Sequence, residues 1–301
     1  MKKKNSNSLR TSRGDKIFNV IVISIVSILT LIVLLPMINI VACSFSKPSA
    51  VSAGRVLLWP VDFTLDNYDL VFSYKKVWIG YRNTIFYTVV GTLINVVMTM
   101  FCAYPLSVKS FSGRTFLNKM FMFTMIFSGG MIANYILIRD LRLMNTIWAV
   151  LLPGAINVYN VMITRTYIET SIPRDLEESA RIDGCNYFMY FVKFVLPLAK
   201  PIIAVIAMYY AVAHWNSYFN AFLYLSNDKL YPLQLFLREI LINSNMDTSS
   251  LDDPELIAAM QGLADAMKYV VIVVSTLPLM CIYPFVQKYF VKGVMIGAVK
   301  G

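Results

Sequence analysis

The sequence predicts an all-α integral membrane protein with six transmembrane helices and both termini on the cytoplasmic side. Three observations predict it. Of 301 residues, 57% are hydrophobic and only 15% are charged, with a mean hydropathy of +0.61. A soluble domain carries about 25% charged residues. The charges also cluster and leave six charge-free gaps, between Lys16 and Lys47, Arg82 and Lys109, Lys119 and Arg139, Arg142 and Arg165, Lys200 and Asp228, and Lys268 and Lys288. Each gap is long enough for a helix that crosses ~30 Å of hydrocarbon with about 20 residues. Nor do the gaps alternate polar and apolar residues, as the strands of a membrane barrel would.

Orientation follows from Lys and Arg. With the N-terminus inside, 17 of the 27 basic residues fall on the cytoplasmic side, against 6 of the 17 acidic ones. The net charge of +10 is therefore read as topology and not as a nucleic-acid surface. Cys43, Cys102, Cys185 and Cys281 are far apart, without a CxxC pair or a Cys/His cluster, so metal binding has no support. No Gly-Lys-Ser or Gly-Lys-Thr is present, so the chain carries no Walker A phosphate loop. No constellation of nucleophile, His and carboxylate suggests catalysis.

The elements follow in order. Residues 1–16 form a basic cytoplasmic tail. Ile17 to Cys43 is a helix with Pro36 as its kink; the run is too long for the ~7–15-residue core of a signal peptide. Residues 44–81 are external. Helix two is expected from Asn83 to Ser107, then a turn at Lys109–Arg114, helix three from Lys119 to Ile138, and helix four from Thr146 to Met162. Gly129-Gly130 in helix three allows either close packing or a break. Helix five starts at Lys200-Pro201. The external segment 228–265 is acidic. Helix six runs from Tyr269 to Phe285, and residues 291–301 form a cytoplasmic tail. The six-helix domain is thus 17–290.

The most polar long stretch of the interior is 171–197. Pro173 is suited to open a helix, with Ser171 as its cap. Asp175, Glu177 and Glu178 crowd the early turns, where the helix dipole favours negative charge. Arg174 and Glu178 stand at i, i+4, and Gly184 is a left-handed stop. Ile172, Leu176, Ser179, Ala180 and Asp183 share one face, with small residues that let another backbone approach. A second, aromatic helical piece spans Asn186 to Leu196, followed by Pro197.

Glu178-Ser179-Ala180, Asp183-Gly184 and Leu196-Pro197 resemble, in order and spacing, the EAA loop of ABC importer permeases. Ser179 and Cys185 stand where that family usually has Ala. The resemblance implies the type I ABC importer permease fold and a loop that sits in a cleft of a separate ATPase subunit, so Glu177, Glu178, Ser179, Ala180, Asp183, Gly184, Leu196 and Pro197 are expected to couple the two. It continues through Pro60, Thr64-Leu65 and Asn67-Tyr68, which resemble an element of carbohydrate permeases, and through Trp215-Asn216. Tyr231 to Ile240 looks like a segment of the branch that takes complex polysaccharide fragments. In that branch the Gly-Gly element includes a Pro, where this chain has Ala133. The ending through Gly293, Ile296 and Gly297 is similar to the tail of the smaller, maltose-type subunit, which contacts the ATPases.

The resemblance implies a second permease subunit in a heterodimer, two ATPase subunits that hold ATP and Mg, an extracellular substrate-binding lipoprotein and an oligosaccharide cargo. No cofactor is expected in this chain. Polar groups within a span must face protein or water. For His214, Trp215, Asn216, Tyr218 and Asn220, three readings stay open: a sugar path, a gate between subunits, or plain helix packing. The rival to an ABC permease is an ion-coupled secondary transporter, which usually needs buried carboxylates; the expected spans contain none.

Overall fold

A computed structural model describes residues 12–243, 263–281 and 284. Most of the N-terminal tail, much of the acidic segment and the C-terminal tail with Gly293, Ile296 and Gly297 lie outside the described residues. The described residues are helical and contain no strand, only one isolated bridge between Ser46 and Phe63. They divide into two compact units, 12–71 with 263–273, and 72–243 with 274 onward.

The first unit begins with α1, Arg13–Ser44. Ser12 caps it: its hydroxyl accepts from the Gly14 N–H, and its own N–H donates to Asp15 at 2.8 Å. The helix runs through Pro36 and is exposed until Ala42, Cys43 and Ser44. After it come the short α2, Pro48–Ser52, and α3, Asp66–Ser73. The Thr-Leu-x-Asn-Tyr element folds back on the end of α1. Asn67 is buried and donates to the Ser46 carbonyl at 2.9 Å. The Phe45 ring stacks on Phe63 and Tyr68. Trp59 stands 82% exposed.

The second unit is built around α4, Lys75–Ser107. It starts eight residues before the expected Asn83, because Lys75 and Lys76 lead a helical run that the charge rule had placed outside the span. Gly80, Thr84, Tyr87, Gly91, Asn95, Thr99 and Ala103 are buried, whereas Ile85, Phe86, Val89, Leu93, Val97 and Phe101 are exposed. The inward face is small and polar and the outward face apolar, the arrangement of helices packed in lipid.

Helix three is two helices. α5, Arg114–Ile126, and α6, Gly130–Asp140, bend by 114°. The break falls at Gly129-Gly130 although Ala133 stands where the related branch has Pro; Gly130 takes a positive φ of 79°. The expected helix four, Thr146 to Met162, is also corrected. α7, Trp148–Leu151, is a single turn, Pro153 and Gly154 interrupt it, and Asn157 caps α8, Val158–Ser171, by accepting from the Asn160 N–H at 3.1 Å. Proline removes a helical donor and restricts the residue before it, which a count of charge-free residues does not register.

Then follow α9, Arg174–Ile182, α10, Tyr187–Tyr190, a π-turn Phe191–Val195, α11, Leu196–Leu198, and α12, Lys200–Trp215. α13 is Phe219–Tyr224, α14 is Leu233–Asn243, and α15 is Leu263–Cys281, already helical six residues before the expected Tyr269. Among the described residues, α1, α4 and α15 are each long and apolar enough to cross a membrane. The bent pairs α5–α6 and Tyr187–Leu198 with α12 raise the number to five if each is one span.

Candidate functional site

The stretch 171–197 is a helical hairpin closed by one left-handed residue. Pro173 is the N-cap of α9 and not its first helical residue, and no side chain caps it. Ser171, the expected cap, instead ends α8. At the other end the Gly184 N–H donates to the Arg181 carbonyl and the Cys185 N–H to the Ala180 carbonyl, at 3.0 and 2.9 Å. These are the two bonds of a Schellman motif, which needs a left-handed residue between them. Gly184 supplies it at φ 79°.

The i, i+4 ion pair that forms is Glu177–Arg181 at 2.7 Å. Glu before a base is the orientation that suits the helix dipole. Arg181 also donates to the Tyr187 hydroxyl at 2.6 Å and lies over its ring. One side chain thus ties α9 to α10 across the turn. Asn186 caps α10 by accepting from the Met189 N–H at 2.8 Å. Ala180 and Ile172 are buried in a cluster with Leu106, Val161, Ile168, Phe191 and Val195, and Leu176 packs against it. Ser179 faces outward and turns its hydroxyl back to the Asp175 carbonyl at 2.8 Å. Asp183 and Pro197 are exposed, while Glu178 and Leu196 are half-buried or exposed at the hairpin's edge. Ile182 is 86% exposed, and Phe188 on α10 is exposed too. Those two apolar side chains, which the sequence motif does not single out, leave water only against another surface.

The π-turn precedes Pro197. Proline has no N–H to give to the carbonyl four residues back, and the chain takes up the lost bond with a wider turn. A cleft of about 250 Å³ lies between α9 and the ends of α4 and α8, lined by Ser107, Lys109, Glu169, Pro173, Glu177 and Arg181. Beside it stands a network that sequence reasoning missed. Glu169 accepts from Arg114 and, at 3.1 Å, from Arg165. Arg114 also donates to the Leu106 carbonyl at 2.9 Å, and Arg165 to Asn118 at 3.2 Å. The ends of α4, α5 and α8 are locked together there. The i, i+4 spacing of Arg165 and Glu169 was the available signal.

The five residues expected at helix five separate. His214 is packed against Gly91 and bonded to the Asn95 amide oxygen at 2.6 Å. Asn95 in turn donates to the Gly154 and Ala155 carbonyls at 2.8 and 3.0 Å. One turn along, Thr99 bonds the Tyr210 hydroxyl at 2.7 Å. Trp215 is buried and donates to the Ser275 carbonyl at 3.0 Å. Asn216 is exposed, with its amide on the Val212 carbonyl at 3.0 Å. Tyr218 is exposed and Asn220 half-buried. His214 and Trp215 thus turn into the helix packing, and Asn216 and Tyr218 turn out of it.

Comparison with known proteins places the whole chain. The family model described as "binding-protein-dependent transport system inner membrane component" matches residues 77–296. Protein LplC of Bacillus subtilis (strain 168) is 38% identical over 296 residues, covering 98% of this chain and 99% of that protein. The polygalacturonan/rhamnogalacturonan transport system permease protein YtcP of the same organism is 38% identical over 287 residues, covering 95% and 99%. A chain in the crystal structure of a bacterial ABC transporter involved in the import of the acidic polysaccharide alginate superposes with a TM-score of 0.84 at 35% identity, covering 94% of this chain and 100% of that one. A family model over residues 77–296 and a match running almost end to end lead to one assignment: this chain belongs to the family of inner membrane components of binding-protein-dependent transport systems.

Proposed function

We propose that this chain is the smaller permease subunit of a heterodimeric ABC importer that moves oligosaccharides, fragments of complex carbohydrate, across the cytoplasmic membrane. The relatives' names support the cargo: one is named for polygalacturonan and rhamnogalacturonan and another for alginate. The chain spans the membrane six times, α7 and α8 completing the sixth crossing, and keeps both termini inside. It performs no catalysis. Two ATPase subunits bind ATP and Mg and supply the work, and an extracellular substrate-binding lipoprotein delivers the sugar.

The observation that carries this reading is the α9–α10 hairpin, with Ile182 and Phe188 in the open and Ala180 seated on α4 and α8. When the ATPases close, they push the hairpin. Glu177, Glu178, Ser179 and Asp183 meet the ATPase surface, while Ala180, Leu196 and Pro197 pass the displacement to the spans. Asn216, Tyr218 and Asn220 border the sugar path, and His214 and Trp215 hold its wall. The 291–301 tail, through Gly293, Ile296 and Gly297, lies along the ATPase pair. An ion-coupled mechanism would be carried by carboxylates inside the spans. Of the acids on these helices, Glu169 is engaged by two arginines at the end of α8 and Asp265 by Lys268.

The test is a crosslink in the assembled importer. Ile182→Cys should join an ATPase subunit through a short bifunctional reagent, and joining should change when ATP is added. A cysteine at Ile182 that reaches only lipid or this chain's own helices would refute the reading.

A further inference from the structure

Near the end of α12 away from the coupling hairpin stands a cation that no carboxylate pairs with among the described residues. Arg238, on α14, lies with its guanidinium carbon 4.3 Å from the centre of the Phe222 ring and 6.0 Å from that of Tyr218. The side chain is half-buried. Among the described residues no carboxylate pairs with it and no protein acceptor takes any of its N–H groups. A guanidinium has five such donors in a fixed fork. Rings attract a cation through their faces, so Arg238 is held in place while none of its donors is used among the described residues. Beside it, Tyr218 and Phe222 are exposed. Asn216, two residues before Tyr218, is exposed and spends its amide N–H₂ on Val212, which leaves its carbonyl oxygen without a partner among the described residues.

We propose that Arg238, with Tyr218 and Asn216, forms a subsite for the carboxylate of a uronic-acid unit in the oligosaccharide. The chemistry selects that class. An aromatic face accepts the C–H face of a pyranose ring. A free amide oxygen accepts a sugar hydroxyl. A guanidinium takes a carboxylate through two parallel N–H bonds, which a neutral sugar cannot use. The position also fits, since α12 rises ~1.5 Å per residue and places this end a full helix length from the coupling hairpin. The subsite rests on the oligosaccharide reading above. The competing use of the same charge, pairing with an acidic side chain of the second permease, is one outcome of the test.

The experiment uses the complete importer in proteoliposomes with its binding protein. Two cargoes are compared: trigalacturonate, and the same trisaccharide with its carboxyl groups reduced to alcohols. Loading of the binding protein with each is measured first and matched. Arg238→Gln should lower uptake of the charged cargo by about tenfold or more, the scale of a lost charge-assisted bond, and leave the neutral one within about twofold. Arg238→Lys keeps the charge without the fork and should fall between wild type and Gln on the charged cargo. That ranking stands by itself where the reduced cargo does not load. Equal losses on both cargoes, no loss with Gln, or Lys no better than Gln each overturn the subsite. So does failure of the second permease to co-purify with the Gln variant, which marks a structural ion pair. A wild-type importer that moves neither saccharide refutes the oligosaccharide reading itself, and a wild type and Gln variant that import the charged cargo equally refute only the subsite.

Discussion

Replacing Gly91 by alanine should destabilise this protein, and the same change should stabilise it once His214 has been removed. A Cβ at position 91 would lie 2.4 Å from His214 Nε2, 2.5 Å from Cε1 and 2.9 Å from Cδ2. Non-bonded heavy atoms settle at about 3.5–4.0 Å, so the imidazole has to withdraw by roughly an ångström. Its 2.6 Å bond to Asn95 does not survive that movement. A hydrogen bond between membrane helices is worth about 0.6 kcal/mol on average and up to about 1.7. A buried polar group left without a partner costs about 1–3 kcal/mol. Against this stands a gain of about 0.5–1 kcal/mol for Ala over Gly inside a helix. The loss outweighs the gain, and Gly91→Ala should cost a net 1–2 kcal/mol or so. In a His214→Ala background the obstacle is gone and only the helix term remains, so the second change should return about 0.5–1 kcal/mol. Thermal unfolding of the assembled importer, wild type, both single variants and the double, reads all four corners of the cycle. Gly91→Ala that is neutral or stabilising in the wild-type background, or a double variant equal to the sum of the singles, would show that the glycine does not make room for the histidine.

Two further outcomes follow, one from the loop and one from the network beside it. At Gly184 an added Cβ meets nothing within 4 Å, so only the φ of 79° matters; Gly184→Asn, which tolerates left-handed backbone, should retain sugar-stimulated ATP hydrolysis, while Gly184→Val, in a complex that still assembles, should lose most of it. Equal activity of the two would remove the left-handed turn from the coupling. Glu169→Gln leaves Arg114 and Arg165 facing each other without the carboxylate, and should lower stability by about 1–3 kcal/mol; an unchanged melting temperature would show the network to be ornamental.

Where local chemistry decides the conformation, the sequence was informative. Asp183-Gly184 marked a left-handed stop because few residues other than glycine accept that φ, and the hairpin closes there. Gly129-Gly130 left close packing and a break both open, and the positive φ of Gly130 accompanies the break. Where tertiary packing decides, the sequence was silent. Asn83, Asn95 and Thr99 sit in an apolar run and look interchangeable with other polar residues of that run. Only the fold tells that Asn83 holds the Lys229 and Tyr231 carbonyls while Asn95 holds Gly154, Ala155 and His214. The missed split of helix four has another cause. Counting uncharged residues measures reach across the bilayer, and Pro153 interrupts a helix without adding a charge. Glu177 pairs with Arg181, which Tyr187 also holds across the turn, and the expected pair of Arg174 with Glu178 does not form.

The bend of 78° between Tyr187–Leu198 and α12 makes the two arms a bell crank, with Ala199 at the elbow. A force along the short arm becomes a sweep of the long one. The long arm has 16 residues, so it reaches roughly 24 Å from the elbow, and a swing of about 5° there carries Trp215 through about 2 Å. That is enough to break one hydrogen bond and make another. The Trp215–Ser275 bond at 3.0 Å sits at the tip of the long arm, where a small push at the hairpin arrives as its largest displacement.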